Sequence, residues 1–444
     1  MSAVRFDPSG PLRGAVRPPA DKSISHRAAL IAAMGEGVTP IRGYLDAADT
    51  RSTLGAVEAV GARVEGADPA TIGSGLRVHG VGLRGAGPAT IDVGNAGTLL
   101  RLLPGWLAGQ EGESWTLDGD DSIRRRPVDR IAVPLREMGA DLVAREGRLP
   151  PLEVRGAALH GIEYQLPVAS AQVKSCLLFA GLLAAGETRV LEPVPSRDHT
   201  ERMLAAAGAD VRREVASRAP GGAEGAGARL VSVRQAERLE PDEIVVPADI
   251  SSAAFLLVAG LLVAGSEVVL EEVGVNPTRT GLLTILERMG AAIEVEPTGE
   301  RGGEPTATLR ARPAPLHGTE VGGAEIPLAI DELPLVALAA CFAEGETTIR
   351  DAAELRRKES DRVETVTAAL AALGGEVEPT ADGMVVSGSG GLRGGAIDSH
   401  GDHRIAMLGA VAGLASAAGV EVAGIEAAAV SYPGFEADLA SLAG

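Results

Sequence analysis

The feature of this sequence that most constrains its fold is a unit that recurs six times along the chain. Each unit begins with a polar turn and an Ala- and Leu-rich helix that ends at glycine, and continues as a β-branched strand, a second amphipathic helix and more strand. The second helices of five units end about 70–85 residues apart, at Gly61, Gly139, Gly208, Gly290 and Gly374. Solenoid repeats have periods of about 20–50 residues, so each unit is predicted to be a small βαβ-type module.

Six such modules predict an α/β protein with two domains of three modules each. We expect the hinge between the third and fourth modules, and we expect the N-terminal strand to cross back and complete the second domain. The predicted domain I is therefore discontinuous, 1–20 plus 245–444, and the predicted domain II is 21–244. Two Gly-containing stretches, 218–229 and 298–305, are typical of surface loops.

The composition argues against several classes of protein. With 60 acidic residues and 41 Lys and Arg the net charge is −19, whereas binding to a nucleic-acid backbone needs a basic surface. The longest apolar run, 253–265, is shorter than the ~20 residues that cross a bilayer. Cys176 and Cys341 lie in apolar runs, which indicates reduced, buried thiols. We therefore expect a cytoplasmic protein without a nucleic-acid or membrane partner.

The segment PPADKSISHR, residues 18–27, places several polar side chains immediately before an apolar helix. Ser23 and Arg27 are four residues apart, so they lie on one face of that helix. The free N–H groups and the positive dipole of a helix N-terminus suit an anion such as phosphate. The alternative is structural, with Ser23 or Ser25 as an N-cap and Lys22 as a solvated charge.

Lysine is rare in this chain, with three lysines among the 41 basic residues, at Lys22, Lys174 and Lys358. A chain that uses Arg almost everywhere plausibly keeps Lys where a compact ammonium with freely rotating donors is needed. The alternative is that these three lysines were retained by chance. However, all three fall in the polar turns that begin the units or their second helices.

The polar turns of the other units supply further candidates for a ligand site. If the modules are equivalent in space, these turns converge on a cleft between two domains, where ligand sites prefer to form. Bidentate Arg suits carboxylates and phosphates, so the cations predict a ligand set with two or three anionic groups. Asp331 and Glu359 are acids among cations, as general acid–base chemistry requires, although Glu359 has the alternative of an ion pair with Arg362. The other candidates are Asn95, Gly97, Thr98, Arg124, Arg125, Arg126, Ser170, Gln172, Arg197, Asp198, His199, Glu332, His400, Asp402, His403 and Arg404.

Other functional templates fit the sequence less well. The HGDH segment at 400–403 is a weak metal motif, and a structural role for it is favoured. The chain has no Walker lysine motif, no GxGxxG that joins a strand to a helix and no GxSxG elbow. The apolar neighbours of Cys176 favour a core position over a nucleophilic thiol.

Taken together, these motifs resemble the family of 3-phosphoshikimate 1-carboxyvinyltransferase (EPSP synthase). The resemblance covers residues from about 10 to 435 and is carried by DKSISHR, GNAGT, the Arg126–Pro127 step, SAQVKS, RDHTERM, NPTRTG, IDELP, RKESDR and DHRIAM, in that order. It implies two similar domains, each of three βαβαββ units, which is the inverse α/β barrel of the enolpyruvyl transferase fold.

The resemblance also implies a reaction. The family transfers the enolpyruvyl group of phosphoenolpyruvate to the 5-hydroxyl of shikimate 3-phosphate and releases phosphate, on the route to chorismate and the aromatic amino acids. The implied mechanism is addition followed by elimination through a tetrahedral intermediate. No metal or organic cofactor is expected, and the implied protein is a monomer.

The matching motifs assign roles to residues of this sequence. Asp331 would accept the proton of the 5-hydroxyl, Glu359 would shuttle the proton at the methylene carbon, and Lys22 would contact both substrates. The implied ligands of shikimate 3-phosphate are Lys22, Ser23, Arg27, Ser170, Gln172, Arg197, Asp331 and Lys358. The implied ligands of phosphoenolpyruvate are Lys22, Gly97, Arg126, Gln172, Arg362 and Arg404.

The chain departs from many relatives at a few positions. Val430 stands where they carry a lysine, Glu354 where some carry an asparagine, and SAQ replaces SSQ, as in the subgroup called class II. The missing lysine leaves open which residue is the third cation for phosphoenolpyruvate, with Arg124, Arg125 or Arg130 as candidates.

Two alternatives to this function remain. A UDP-N-acetylglucosamine enolpyruvyl transferase usually has a Cys in an exposed loop and a Lys-Asn pair near its start, neither of which this sequence shows. A non-catalytic anion-binding protein of the same fold would have no need of Asp331 and Glu359.

Overall fold

The computed structural model describes residues 2–216 and 227–444. The chain divides into two compact units. Unit 1 comprises Met1–Asp21, Pro247–Glu300 and Pro305–Gly444, and unit 2 comprises Lys22–Val246 and Arg301–Glu304. Most of the predicted loop at 218–229 lies outside the described residues. A search of the described helices finds none with the length and apolar character needed to span a membrane.

The chain begins in unit 1 with two short strands, β1 (Ala3–Phe6) and β2 (Arg13–Val16). It then forms the helices and strands of unit 2. The helices are α1 (Lys22–Met34), α2 (Ala48–Ala59), α3 (Gly97–Leu107), α4 (Asp129–Glu137), α5 (Ala171–Gly181) and α6 (His199–Ala206), with a 3-10 helix at Ile123–Arg125. The strands are β3 (Val38–Arg42), β4 (Arg63–Glu65), β5 (Leu76–His79), β6 (Ala89–Asp92), β7 (Ser114–Asp118), β8 (Asp141–Arg145), β9 (Leu149–Arg155), β10 (Glu163–Gln165), β11 (Glu187–Glu192), β12 (Val211–Val215), β13 (Arg229–Arg234) and β14 (Ile244–Val245).

The remaining elements belong mainly to unit 1. The helices are α7 (Ile250–Leu262), α8 (Gly281–Arg288), α9 (Ile326–Ala329), α10 (Leu333–Cys341), α11 (Arg362–Ala372), α12 (His403–Ala415) and α13 (Phe435–Ala443), with 3-10 helices at Gly323–Glu325, Ala353–Arg357 and Ile425–Val430. The strands are β15 (Glu267–Gly274), β16 (Ala292–Arg301), β17 (Glu304–Arg312), β18 (Glu320–Val321), β19 (Glu344–Ile349), β20 (Glu376–Pro379), β21 (Met384–Ser389), β22 (Gly395–Asp398) and β23 (Val420–Ala423).

Within the described residues the strands form six small sheets, three in each unit. The sheet β6-β7-β9-β8 shows the common pattern: β6 pairs parallel with β7, and β9 pairs antiparallel with both β7 and β8. Helix α3 connects the parallel strands because a parallel pair needs a crossover, and α4 leads to the hairpin. The module is therefore βαβαββ, as the resemblance predicts, and one sheet, β1-β23-β22, has three strands.

Two of the sheets take a strand from a distant part of the sequence. In unit 1, β2 pairs parallel with β15, and in unit 2, β14 pairs parallel with β3. Because α1 follows β2 and α7 follows β14, the chain passes from one unit to the other near residues 21–22 and again near 246–247. The domain boundaries proposed above, 1–20 plus 245–444 and 21–244, remain a prediction.

The predicted loop at 298–305 is wrong. This segment contains the end of β16, a turn at Gly302 and Gly303 with positive φ angles, and the start of β17. The sequence misleads because β16 is exposed along almost its whole length. A strand that buries neither face lacks the alternation of apolar and polar residues that identifies strands.

The central helices are buried along nearly their whole length. This holds for α1, α3 and α5 in unit 2 and for α7, α10 and α12 in unit 1. Only 2% of residues are aromatic, so these helices pack through Ala, Leu, Val and Gly. A helix that is surrounded by core presents mainly its ends to a ligand, which places the polar first turns where binding can occur.

Helices α3 and α5 pack closely because α3 carries a glycine at their contact. A Cβ atom on Gly105 would lie 2.1 Å from the carbonyl oxygen of Cys176 in α5. Gly55 in α2 is also helical, but a Cβ atom there meets nothing within 4 Å.

These two glycines provide a matched test of the packing. We predict that Gly105→Ala lowers the free energy of unfolding by about 1–3 kcal/mol, because the added methyl group overpacks a backbone contact. Gly55→Ala should instead raise it by about 0.5–1 kcal/mol through helix propensity. Urea denaturation of both variants measures the difference, and an equal stabilisation by both substitutions would contradict the close packing of α3 on α5.

Candidate active site

The candidate residues fall into two clusters, one in each unit. The N-terminal cluster contains the candidates between Lys22 and His199, and the C-terminal cluster contains those between Asp331 and Arg404. Each cluster is described by itself.

Lys22, at the start of α1, is held by an acid of the next helix. Its Nζ donates to Oδ2 of Asp49 at 3.2 Å, and the Lys22 side chain keeps 21% of its exposure. Asp49 lies in the first turn of α2. The ammonium group is thus oriented by one neighbour while part of it faces outward.

Arg27, one turn further along α1, is almost completely buried at 2% exposure. Its guanidinium donates to Oγ1 of Thr200 at 2.7 Å, to Oγ of Ser175 at 2.9 Å and to the backbone oxygen of Ser23 at 2.9 Å. Arg27 therefore ties α1 to α5 and α6. Ser23 and Arg27 are brought together as predicted, although the contact between them uses the backbone of Ser23.

The N-terminal ends of α3 and α5 meet through Gln172. Its Nε2 donates to Oγ1 of Thr98 at 3.1 Å, and its Oε1 accepts from Nη1 of Arg101 at 2.9 Å. Ser170 is the N-cap of α5, where its hydroxyl accepts from the N–H of Val173 at 3.4 Å. These bonds fix the side-chain amide of Gln172 beside the first turn of α3.

Arg126 lies against the same turn. Its Nη2 donates to Oδ1 of Asn95 at 3.0 Å, and its Nη1 would lie 2.6 Å from a Cβ atom on Gly97. The glycine therefore leaves room for the guanidinium. The structure brings together Gly97, Arg126 and Gln172, three of the candidates that the sequence assigns to one ligand.

Lys174 is part of the core rather than of an open site. It is 0% exposed, and its Nζ lies 2.8 Å from Glu192 and 2.6 Å from Glu201, both of which are buried. Burial raises the pKa of Glu192, while the two carboxylates raise the pKa of Lys174 despite its burial. The compact ammonium of Lys174 is therefore used to neutralise buried acid in the core.

The remaining basic candidates of this cluster differ in their surroundings. Arg124 donates to Asp118 at 2.8 Å, and this hydrogen bond lowers the pKa of Asp118. Arg125 is exposed and, in the parts of the chain that the structure describes, its side chain has no hydrogen-bond or ion-pair partner. Arg197 is half-buried in the loop before α6.

The last two candidates of the N-terminal cluster have partners within unit 2. Asp198 accepts from Arg202 and Arg213, each at 2.9 Å. Nδ1 of His199 lies 2.8 Å from Oε1 of Glu304, and both side chains are buried. A structural role accounts for both residues.

The C-terminal cluster is centred on Arg362, the first residue of α11. Its guanidinium is 1% exposed and reaches three carboxylates: Asp402 at 2.8 Å, Glu359 at 2.7 Å and Asp331 at 3.4 Å. These carboxylates raise the pKa of Arg362 although burial opposes the charge. The predicted i,i+3 pair between Glu359 and Arg362 is therefore present, as one of three such contacts.

Asp331 is surrounded by cations. Besides Arg362, its Oδ1 accepts from Nζ of Lys358 at 3.1 Å, and its Oδ2 lies 3.9 Å from Nη2 of Arg404. The side chains of Lys358 and Glu359 remain 24% and 34% exposed, whereas that of Asp331 is 14% exposed. Asp331, Lys358, Glu359, Arg362 and Arg404 are thus brought together as predicted.

Asp402 organises the end of the HGDH segment. It is the N-cap of α12, accepting from the N–H of Arg404 at 2.9 Å, and the charge of Arg362 holds its pKa below the usual range despite burial. Nδ1 of His403 lies 3.9 Å from Asp402. Among the described residues, no group of three or more His, Cys, Asp and Glu side chains is placed to hold a metal ion.

Some residues that shape the clusters carry no local sequence signal. Asp49, Ser175 and Thr200 become partners of Lys22 and Arg27 only through contacts between helices. Both cysteines are free and buried, as predicted, and burial raises the pKa of Cys341 to about 12.

Comparison with known proteins gives a consistent result over almost the whole chain. The family model described as EPSP synthase (3-phosphoshikimate 1-carboxyvinyltransferase) matches residues 6–439. A 3-phosphoshikimate 1-carboxyvinyltransferase of Desulfitobacterium hafniense (strain DSM 10664 / DCB-2) is 48% identical over 433 residues, covering 97% of this chain and 96% of the relative. One from Synechococcus sp. (strain RCC307) is 49% identical over 445 residues, covering 100% and 99%.

A solved structure supports the same fold. The EPSP synthase from Acinetobacter baumannii, at 41% sequence identity, superposes with a TM-score of 0.86 and covers 100% of this chain and 98% of that protein. The expected enolpyruvyl transferase fold is thereby confirmed.

The buried lysine offers a test of the electrostatics. We predict that Lys174→Met lowers the free energy of unfolding at pH 8 by about 3–5 kcal/mol, because it leaves Glu192 and Glu201 buried without their cation. Without the lysine, burial keeps the folded-state pKa of Glu192 above the unfolded value, so folding favours its protonated form. The loss should therefore shrink as the pH falls towards the unfolded value of about 4.3.

Lys22→Met provides the control, since Lys22 is partly exposed and pairs with Asp49. It should lower the free energy of unfolding by about 1 kcal/mol or less at both pH 5 and pH 8. Urea denaturation at pH 5 and pH 8 measures both variants. If Lys174→Met lowers the free energy of unfolding only slightly, or by the same amount at pH 5 and pH 8, then the buried acids do not need the lysine.

Proposed function

This chain belongs to the EPSP synthase family, the 3-phosphoshikimate 1-carboxyvinyltransferases, and on this premise we propose how its two clusters carry out the reaction. The protein is a transferase that moves the enolpyruvyl group of phosphoenolpyruvate to the 5-hydroxyl of shikimate 3-phosphate and releases phosphate. The observation that supports the assignment of roles most directly is the contact of Arg362 with both Asp331 and Glu359, because it sets two acids beside one anion-binding cation.

Asp331 is proposed as the base that accepts the proton of the 5-hydroxyl. Its contacts with Lys358 and Arg362 fix the position of its carboxylate. As the hydroxyl oxygen attacks C2 of phosphoenolpyruvate, a proton must leave that oxygen, and a carboxylate within hydrogen-bond reach accepts it. Lys358 is proposed to contact shikimate 3-phosphate beside it.

Glu359 is proposed as the acid that protonates the methylene carbon. Adding a proton to C3 of phosphoenolpyruvate gives C2 oxocarbenium character, and the attack of the 5-hydroxyl on C2 completes the tetrahedral intermediate. In the elimination, a proton leaves the new methyl group for Glu359 and phosphate leaves C2. The 34% exposure of its side chain supports contact of Glu359 with a substrate.

The cations are proposed to bind the anionic groups of the two substrates. Arg362 and Arg404 would bind the carboxylate of phosphoenolpyruvate, and Lys22 and Arg126 would stabilise the departing phosphate by facing the charge that develops on it. Gly97 and Gln172 complete this set, supported by the contacts that gather Gly97, Arg126 and Gln172.

The remaining ligands are proposed for shikimate 3-phosphate. They are Lys22, Ser23, Arg27, Ser170, Gln172, Arg197, Asp331 and Lys358. We propose that both clusters contribute to the binding of the same two substrates. Arg124, Arg125 and Arg130 all stay candidates for the third cation of the phosphoenolpyruvate site, and Arg124 is the one that pairs with Asp118.

The two alternative functions lack a comparable observation in their favour. The sequence shows neither the Lys-Asn pair nor the loop cysteine of a UDP-N-acetylglucosamine enolpyruvyl transferase, and both of its cysteines are buried. A non-catalytic anion-binding protein would not need two acids held against its cations. A cytoplasmic location and a monomeric state remain part of the proposal.

Phosphate release tests this function. We predict that the unmodified protein releases phosphate when both phosphoenolpyruvate and shikimate 3-phosphate are present, and not with either one alone. Asp331→Asn keeps the shape of the side chain but removes the base, so kcat should fall about 10²–10⁴-fold. Asp7→Asn makes the same change at an exposed carboxylate paired with Arg5 and should leave kcat unchanged. Failure of the unmodified protein to release phosphate would refute the function, and an unaffected Asp331→Asn variant would refute the role of Asp331.

A further inference from the structure

Glu332 is a buried carboxylate next to the proposed base Asp331, and the proposed reaction gives it no role. It is 1% exposed and lies at the N-terminal end of α10. Its Oε1 accepts a hydrogen bond from the hydroxyl of Ser251 and lies 3.5 Å from Nη1 of Arg404. Because an unpaired buried carboxylate is strongly destabilising, its contacts indicate what it does.

The contacts of Arg404 depend on Glu332. Nη1 of Arg404 is anchored to the backbone oxygen of Asp331 at 3.0 Å and to the Glu332 carboxylate, while Nη2 lies 3.9 Å from Oδ2 of Asp331. A guanidinium recognises a substrate carboxylate through two parallel N–H donors, which requires a fixed orientation of its plane. The anchors on Nη1 fix that orientation.

A second buried guanidinium, that of Arg279, is linked to Glu332 through Ser251. Arg279 is 3% exposed and donates to Oγ of Ser251 at 2.6 Å and to Oδ1 of Asp249 at 3.0 Å. Ser251 accepts from Arg279 and donates to Glu332, so its hydroxyl proton is directed to the carboxylate. A continuous chain of contacts thus runs from Arg279 through Ser251 and Glu332 to Arg404.

The same series of contacts is attached to the fold through Arg279. Asp249 is the N-cap of α7, and Nη1 of Arg279 donates to Asp21 at 3.0 Å. Asp21 and Asp249 lie close to the two points where the chain enters and leaves unit 1. The carboxylate of Glu332 is therefore placed by buried groups that are themselves tied to the backbone at both points.

We propose that Glu332 is a positioning residue, which holds the guanidinium of Arg404 in the orientation that binds the carboxylate of phosphoenolpyruvate. This inference rests on the proposed function, since it requires Arg404 to bind that substrate. Glu332 acts through Arg404 and touches neither substrate. Its loss should therefore weaken the binding of phosphoenolpyruvate and leave the binding of shikimate 3-phosphate unchanged.

Steady-state kinetics of Glu332→Gln test the inference, because the amide keeps the size of the side chain and removes its charge. The KM for phosphoenolpyruvate should rise about tenfold, as expected for the loss of a charge-assisted contact, while the KM for shikimate 3-phosphate stays within about twofold. Ser251→Ala should shift the same KM in the same direction by a smaller factor. Glu267→Gln is the matched control, since it neutralises a half-exposed carboxylate of unit 1 that pairs with Arg310 and Arg312.

A double-mutant cycle separates positioning from a general structural effect. If Glu332 acts through Arg404, then Glu332→Gln should raise the KM for phosphoenolpyruvate much less in an Arg404→Ala background than in the unmodified protein. Equal rises in both KM values, an unchanged KM for phosphoenolpyruvate, or the same factor in both backgrounds would overturn the inference. If circular dichroism shows that Glu332→Gln does not fold, the same double-mutant cycle is measured with Ser251→Ala in its place. Ser251→Ala should then raise the KM for phosphoenolpyruvate much less in the Arg404→Ala background than in the unmodified protein. An unmodified protein that releases no phosphate would refute the proposed function instead.

Discussion

The C-terminal cluster depends on one buried guanidinium, that of Arg362. A cation with 1% exposure must be paired, because taking it out of water otherwise costs several kcal/mol. Arg362 meets this requirement with Asp331, Glu359 and Asp402, which come from three separate segments of unit 1. The pairing brings together the start of α11, the N-cap of α12 and the segment before α10. It therefore places the two proposed proton-transfer groups against a residue that is proposed to bind an anion.

The pairing of a cation with nearby carboxylates recurs in both clusters. Each rare lysine is paired with acid: Lys22 with Asp49, Lys358 with Asp331, and Lys174 with two buried glutamates. In a chain of net charge −19, acids are available to orient cations before a substrate arrives. Charged groups that are already oriented need little reorganisation during the reaction, which is how preorganised sites stabilise a transition state.

The sequence predicted the features that depend on local spacing and could not predict those that depend on distant contacts. The six βαβ-type modules follow from periodicity, and the Glu359–Arg362 pair follows from positions three residues apart. The bond of Arg27 to Thr200 joins residues 173 apart, and that of Arg362 to Asp402 joins residues 40 apart, so no window of sequence contains either. The ion pairs of Lys174 could not be predicted for the same reason, because its acidic partners lie in β11 and α6. The strand β16 was missed because it buries neither face.

The proposed reaction requires acids held among cations to move a proton onto and off the methylene carbon of phosphoenolpyruvate. Turnover in deuterium oxide, with the product analysed by proton NMR, tests this requirement. In this reaction, addition forms a transient methyl group that contains one solvent hydron, and elimination then removes one of its three hydrons. We expect deuterium in the methylene group of the product, and a slower reaction for Glu359→Gln. A product that retains only the original hydrogens after complete turnover would contradict it.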